Sequence, residues 1–313
     1  MNIARPVQTG DLVAGAYLVE HVLGQGGTGV VFAATDTQRN ERVAIKVVRP
    51  ELAARASVMQ ALRRQVQAAA AIRGEQVCRL LKLVEADGGV PCLVMEYLDG
   101  SDLTREALAR KRCSVREAVG YVRETCAGLA AAHAAGVVHR DLKPSKLFVL
   151  GERGGSRRLK LLDFGAAGLL STSSLPLLAA AGRLTDLQAA LWVRAARYRA
   201  PEQLDSADLV DAQSNVWAVG AILYELLSGR PPFYETSPQR FVAAVRAGEP
   251  RRLRSLRTQM PEGLRRVVER ALAKSRADRY ASVTELSRDL APYGSSSGRD
   301  GMSAGSVVPV EIP

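Results

Sequence analysis

A charged island, His139-Arg140-Asp141-Leu142-Lys143-Pro144-Ser145-Lys146, lies between two apolar runs, Gly136-Val137-Val138 and Leu147-Phe148-Val149-Leu150. Charges this dense are costly to bury unless paired, so the segment reads as a loop that presents its side chains from between regular elements. Upstream, Val115, Val119, Val122, Cys126, Leu129 and Ala130 recur with helical spacing and predict an amphipathic helix over 115–135 that feeds the loop. His133, near its end, reads as a packing or capping residue. Downstream, Arg157-Arg158-Leu159-Lys160-Leu161-Leu162 predicts a strand that ends in Asp163-Phe164-Gly165. A helix, a charged loop and two short apolar runs therefore converge on one place, and any fold for this chain has to present it.

The N-terminal part reads as β-structure. Tyr17-Leu18-Val19-Glu20-His21-Val22-Leu23 alternates like a strand and runs into Gly24-Gln25-Gly26-Gly27-Thr28-Gly29-Val30-Val31. Glycines at this spacing let backbone amides approach phosphates without a side-chain clash. A dinucleotide-binding fold uses similar glycines but requires a helix after them, whereas Val30-Val31-Phe32-Ala33-Ala34-Thr35 is β-like and turns over 36–40 into another strand. That strand, Arg42-Val43-Ala44-Ile45-Lys46-Val47-Val48, holds a lysine among apolar residues, which needs a partner if it is buried. Leu80–Glu85 and Pro91–Leu98 predict a hairpin across 86–89.

Taken in order, G-x-G-x-x-G-x-V from Gly24, V-A-I-K to Lys46, H-R-D at Asp141, D-F-G at Asp163 and Ala200-Pro201-Glu202 resemble the motif set of the eukaryotic-like Ser/Thr protein kinases of bacteria, over about residues 15–291. The resemblance implies an α+β, two-lobed protein kinase fold: a lead-in over 1–14, a small β-rich lobe over 15–98, a larger helical lobe over 99–291, and a disordered Gly/Ser-rich tail over 292–313. It implies ATP as ligand, with Gly24, Gly26, Gly29, Val31, Ala44, Lys46, Met95, Glu96, Leu98 and Phe148 around the nucleotide. By the same likeness Asp141 and Lys143 are the catalytic pair and Asp163 is the magnesium ligand. Ser171 to Ser174 and Thr185 are candidate phosphorylation sites that Arg140 would read, and Arg279 is the expected ion-pair partner of Glu202.

Four positions depart from that pattern. Lys146 stands where the family places an Asn metal ligand. Gln65 falls at the place of the helix-borne Glu that pairs with Lys46, and no acidic residue occurs from Arg55 to Arg73. Ala195 replaces a Thr whose hydroxyl bridges the catalytic Asp and Lys, so its absence is expected to loosen Asp141 and Lys143. Asn215 replaces the Asp that anchors the charged loop. What is kept binds nucleotide, and what is lost assembles a transition state. The resemblance therefore implies a catalytically impaired kinase fold, a pseudokinase acting as a signalling scaffold or allosteric partner with at most one weakly held magnesium ion. The alternative is an active protein Ser/Thr kinase.

Composition removes other classes. The chain is 47% hydrophobic and 24% charged, which suits a globular fold. Its net charge of +11 is mostly arginine, only seven of the 43 basic residues are lysine, and 5% aromatic residues leave little for base stacking, so no nucleic-acid site is expected. Arg251, Arg252, Arg254 and Arg257 read as a solvated basic face. No apolar run approaches the roughly 18–20 residues that span a bilayer, and Met1–Pro6 lacks the apolar core of a signal peptide. A cytoplasmic protein is expected, with Cys78, Cys92, Cys113 and Cys126 as reduced thiols.

Overall fold

The computed structural model describes residues 6–54, 56–110, 113–151, 158–164, 185–206, 209–253 and 260–294. Its small lobe is an antiparallel sheet of β1 (Leu12–Val13), β2 (Tyr17–Gly26), β3 (Gly29–Asp36), β4 (Glu41–Val48), β5 (Leu80–Ala86) and β6 (Val90–Glu96), in the spatial order β1-β2-β3-β4-β6-β5. Strand alternation sorts its residues onto two faces. Val19, Phe32, Ala34, Val43, Ile45, Cys92 and Val94 share one face and close a core with Tyr17 and Val90. The other face carries two cross-strand rows, Val31-Lys46-Leu93 and Ala33-Ala44-Met95. A single residue of slip would have sent Lys46 to the wrong side.

The helical region expected from about residue 51 to 73 forms two pieces, α1 (Pro50–Ala53) and α2 (Ala56–Ala71). Leu62 of α2 packs on Val48 and Leu93, so that helix covers part of the Lys46 face and leaves the rest to the cleft.

The larger lobe contains α3 (Leu103–Arg110), α4 (Val115–Ala134), α5 (Asp186–Ala196), α6 (Pro201–Asp205), α7 (Ala212–Ser228), α8 (Pro238–Ala247), α9 (Glu262–Ala271) and α10 (Val283–Gly294). Helix α4 starts at a reciprocal capping box of Ser114 and Glu117, which satisfies amides that no helical carbonyl can reach. Helix α7 is apolar nearly all round and buried nearly all along its length, the pattern of a core helix. Against its N-terminal side, buried Glu202 and Arg279 form the expected ion pair in bidentate form, at 2.7 and 2.9 Å. A small sheet, β7 (Gly100–Asp102), β8 (Leu147–Leu150) and β9 (Leu159–Leu161), lies under the cleft in that spatial order. Strand β9 ends at Leu161; just past it the Leu162 amide donates to Lys146 O at 2.8 Å and its carbonyl accepts from His139 Nε2 at 3.0 Å.

Among the described residues no helix is long and apolar enough to cross a membrane. The four cysteines are free thiols; burial raises Cys78 to about 12, Cys92 to about 11 and Cys126 to about 12, which keeps them as thiols. The tail after Gly294, Ser171 to Ser174, Gly165, Arg254 and Arg257 lie outside the described residues.

Candidate active site

The charged loop is held at His139 by contacts from two directions. Asn215, at the start of α7, accepts from the His139 amide through Oδ1 at 3.1 Å and donates through Nδ2 to the His139 carbonyl at 2.7 Å. The amide group can take only one orientation here, because the backbone N–H must meet an oxygen. His133 Nε2 also lies 2.9 Å from Oδ1, so it carries the proton and donates. His133 thus steadies the residue that steadies the loop, a role that its place at a helix end did not disclose. From the other direction, the His139 ring lies against Phe164 with centroids 4.8 Å apart, and its Nε2 donates to Leu162 O at 3.0 Å. Burial lowers the His139 pKa to about 4, which keeps the imidazole neutral, and the Leu162 carbonyl holds its one proton on Nε2.

Within the loop, Asp141 and Lys143 pair at 2.7 Å, both partly exposed. That contact forms without a Thr beside it: Ala195 sits on an exposed face of α5. Thr185 caps α5 through a box with Gln188. Arg199 lies close enough for Asp141 to favour its charge, although burial works harder the other way and lowers its pKa.

Three of the expected residues meet in one cluster. Lys46 Nζ lies 2.9 Å from Asp163 Oδ1, and Lys146 Nζ contacts Asp163 Oδ2. The Lys46 side chain is 4% exposed, that of Asp163 17% and that of Lys146 22%. Asp163 reaches this position with φ of +59°, a left-handed conformation that Asp tolerates better than most residues. Burial acts against its charge, yet Lys46 and Lys146 hold its carboxyl well below the usual carboxylate range. Burial likewise opposes the charge on Lys146, and Asp163 with Asp141 more than offsets it, raising that pKa. The partner expected for Lys46 was Gln65. That residue lies on α2 and its side chain is outside the described set; the carboxylate found beside Lys46 is that of Asp163, just after β9. Nothing in the local sequence signals this, since the partners are 117 positions apart.

Around the cluster the register brings several of the expected nucleotide contacts onto one sheet face. Val31, Ala44, Lys46 and Met95 share the inner sheet face, and Gly24 pairs with Val31 at the loop above it. The glycines differ in what they do. A Cβ on Gly29 would sit 2.0 Å from the Val47 carbonyl oxygen, so tight strand contact excludes any side chain. A Cβ on Gly24 or Gly26 would meet nothing within 4 Å. Arg49 ties down the loop tip by donating to Gly26 O at 3.1 and 3.2 Å. Phe148, half-buried on β8 opposite Lys160, belongs to the floor sheet. Leu98 follows β6 in the segment that joins the lobes. The Glu96 carboxylate binds Lys160 Nζ at 2.5 Å and the Arg79 amide at 2.8 Å. Its own N–H donates to Arg79 O at 3.0 Å, so that N–H is not available to a base. Glu96, Arg79 and Lys160 also line a cavity of about 830 Å³, together with Ile72, Leu80, Glu124 and Leu159 among others.

Protein kinases bring ATP with magnesium, held by the D-F-G Asp and the catalytic-loop Asn. The donor set here does not fit that metal. Both Asp163 oxygens carry a lysine, and Lys146 occupies the second ligand position. Two lysines against one aspartate leave a formal charge of +1 in the cluster. A divalent ion about 4 Å from a net unit charge of the same sign is disfavoured by about 8 kcal/mol at an effective dielectric near 20.

A family model described as a protein kinase domain matches residues 17–289. Serine/threonine-protein kinase PknB of Mycobacterium tuberculosis is 31% identical over 277 residues, which cover 88% of this chain and 42% of that protein. Serine/threonine-protein kinase Pkn1 of Myxococcus xanthus is 32% identical over 276 residues, 88% of this chain and 38% of the relative. The chain thus spans less than half the length of the curated relatives it matches. The crystal structure of the Mycobacterium tuberculosis PknI kinase domain superposes with a TM-score of 0.70 at 26% identity, over 92% of this chain and 100% of the other. With the motif order, the two lobes and these matches in agreement, the chain belongs to the protein kinase domain family, with its relatives among the bacterial Ser/Thr protein kinases.

Proposed function

We propose that this chain is a nucleotide-binding kinase domain whose phosphotransfer is severely reduced or lost, and that it works as an allosteric or scaffolding partner in signalling. The observation that carries the reading is the Asp163 carboxylate, whose two oxygens are taken by Lys46 and Lys146. A kinase with magnesium on that residue uses it to orient the phosphates, and an ammonium group has neither the charge nor the octahedral geometry to do so. Gly24, Gly26, Val31, Ala44, Met95, Leu98 and Phe148 are assigned to the nucleotide in this reading, and Asp141 and Lys143 become residues that shape the loop. Its work is assigned to the cytoplasm, in keeping with ATP as ligand and free thiols.

A second reading, a slow protein Ser/Thr kinase that transfers the ATP γ-phosphate to a protein hydroxyl, is favoured by the direct Asp141–Lys143 pair and by the likeness to named Ser/Thr kinases. One assay separates the two. Purified protein is incubated with labelled ATP, a generic acceptor and magnesium or manganese, beside an Asp163→Ala control. The first reading expects no transfer above the control; clear transfer abolished by Asp163→Ala would establish the second.

A further inference from the structure

The misfit with a metal has a positive side, and it rests on the nucleotide-binding reading above. Lys46 is on the sheet face that carries Val31, Ala44 and Met95, and Gly24, paired with Val31, has open space where a side chain would be. Lys146 approaches from the charged loop and retains some exposure. One carboxylate joins them, Lys46 on Oδ1 and Lys146 on Oδ2. An ammonium group has three N–H donors, so each lysine spends one on Asp163 and keeps two. Neither ion pair has to break for those donors to reach a further anion. The cluster bears a formal charge of +1, from two lysines and one aspartate, and the adjoining Asp141–Lys143 pair adds none. A site with a metal-binding Asn in place of Lys146 would lack that excess and would need the metal to receive a polyphosphate.

We propose that the cleft takes a nucleoside polyphosphate free of divalent metal, with Asp163 as a bracket that fixes Lys46 and Lys146 while both lysines donate to phosphate oxygens. Lys146 thereby replaces the charge of the metal and not its coordination chemistry. The ligand class is uncomplexed ATP or ADP. Adenosine, which has no phosphate, gains nothing from Lys146.

Calorimetric titration of the full chain with ATP, in EDTA and then in excess magnesium, tests this. ATP is expected to bind in EDTA at least as tightly as in magnesium. Lys146→Asn is expected to weaken binding in EDTA by about tenfold or more, equivalent to at least 1.4 kcal/mol, and to make magnesium beneficial. Lys146→Arg keeps a cation on Asp163 and is expected to keep metal-free binding, which separates charge from folding. Adenosine affinity is expected to be the same in all three proteins. Wild-type binding that appears only with magnesium would overturn this inference and leave the nucleotide-binding reading standing. An Lys146→Asn protein that binds ATP in EDTA as well as wild type does would likewise overturn it. No heat with ATP under either condition overturns both.

Discussion

Asn215→Asp puts back the residue type that the family resemblance would place at the start of α7, and the structure predicts that this apparent repair destabilises the protein. Asn215 is 1% exposed, and its Nδ2 donates to the His139 carbonyl at 2.7 Å. A carboxylate has no donor, so the variant sets a second oxygen against that carbonyl and leaves it without this partner. Orphaning a buried acceptor costs about 1–3 kcal/mol. The bonds from His139 N–H and His133 Nε2 to the other oxygen persist and strengthen with charge, while burial of that charge works against the gain. At about 2–4 °C per kcal/mol for a large domain, the melting temperature is expected to fall by about 2–12 °C. Thermal melts and urea titrations at neutral pH measure the change. Asn215→Ala, which removes all three bonds, is expected to lose more than Asn215→Asp. An Asn215→Asp protein as stable as wild type, or more so, would refute the reasoning, because the loop must then offer a donor where the structure has the His139 carbonyl.

Glu202→Ala is expected to cost about 3–5 kcal/mol in urea denaturation, because it strands the buried Arg279 guanidinium, whose side chain has no exposure; a loss below about 1 kcal/mol would mean that the three carbonyls it also reaches suffice. The neutral His139 is favoured in the fold, with a pKa lowered from 6.5 to about 4. Its depressed value means that the unfolded chain takes up the proton first as pH falls. Stability is therefore lost progressively below 6.5 and the loss is complete near 4, at roughly 3 kcal/mol in all. Urea midpoints between about pH 7 and pH 5 should show that slope, and His139→Phe, which keeps a ring against Phe164, should lose it. Gly29→Ala should lower the melting temperature sharply because its Cβ meets Val47 O, whereas Gly24→Ala should melt like wild type and show a smaller ATP-induced shift. Equal melting behaviour of the two glycine variants would sink that division of labour.

Local signals made much of the architecture legible. Helical spacing from Val115 announced α4, which runs to Ala134, and the β-like run after Gly29 distinguished a strand-loop-strand from a dinucleotide fold before any coordinates. Motif order announced the two-lobed fold, and Arg279 with Glu202 was readable by resemblance across 77 positions. These succeed because periodicity and turn chemistry are properties of neighbouring residues. The contact between Lys46 and Asp163 was not readable, because it joins side chains 117 positions apart. The part played by His133 was hidden for the same reason, since its meaning depends on Asn215, 82 positions away.

By itself, then, the sequence determined that Lys146 stands on the charged loop, that Lys46 lies in a strand and that Asp163 ends another. A cation where a metal ligand belongs raises a question about chemistry and does not say what the cation touches. Only the tertiary structure decided that both lysines close on the same carboxylate. Folding brings β4, the charged loop and the end of β9 together, and a buried charge there has to find its counter-charge among whatever side chains those segments carry. Pairing energy falls off over a few ångströms, and distance is what a sequence does not contain.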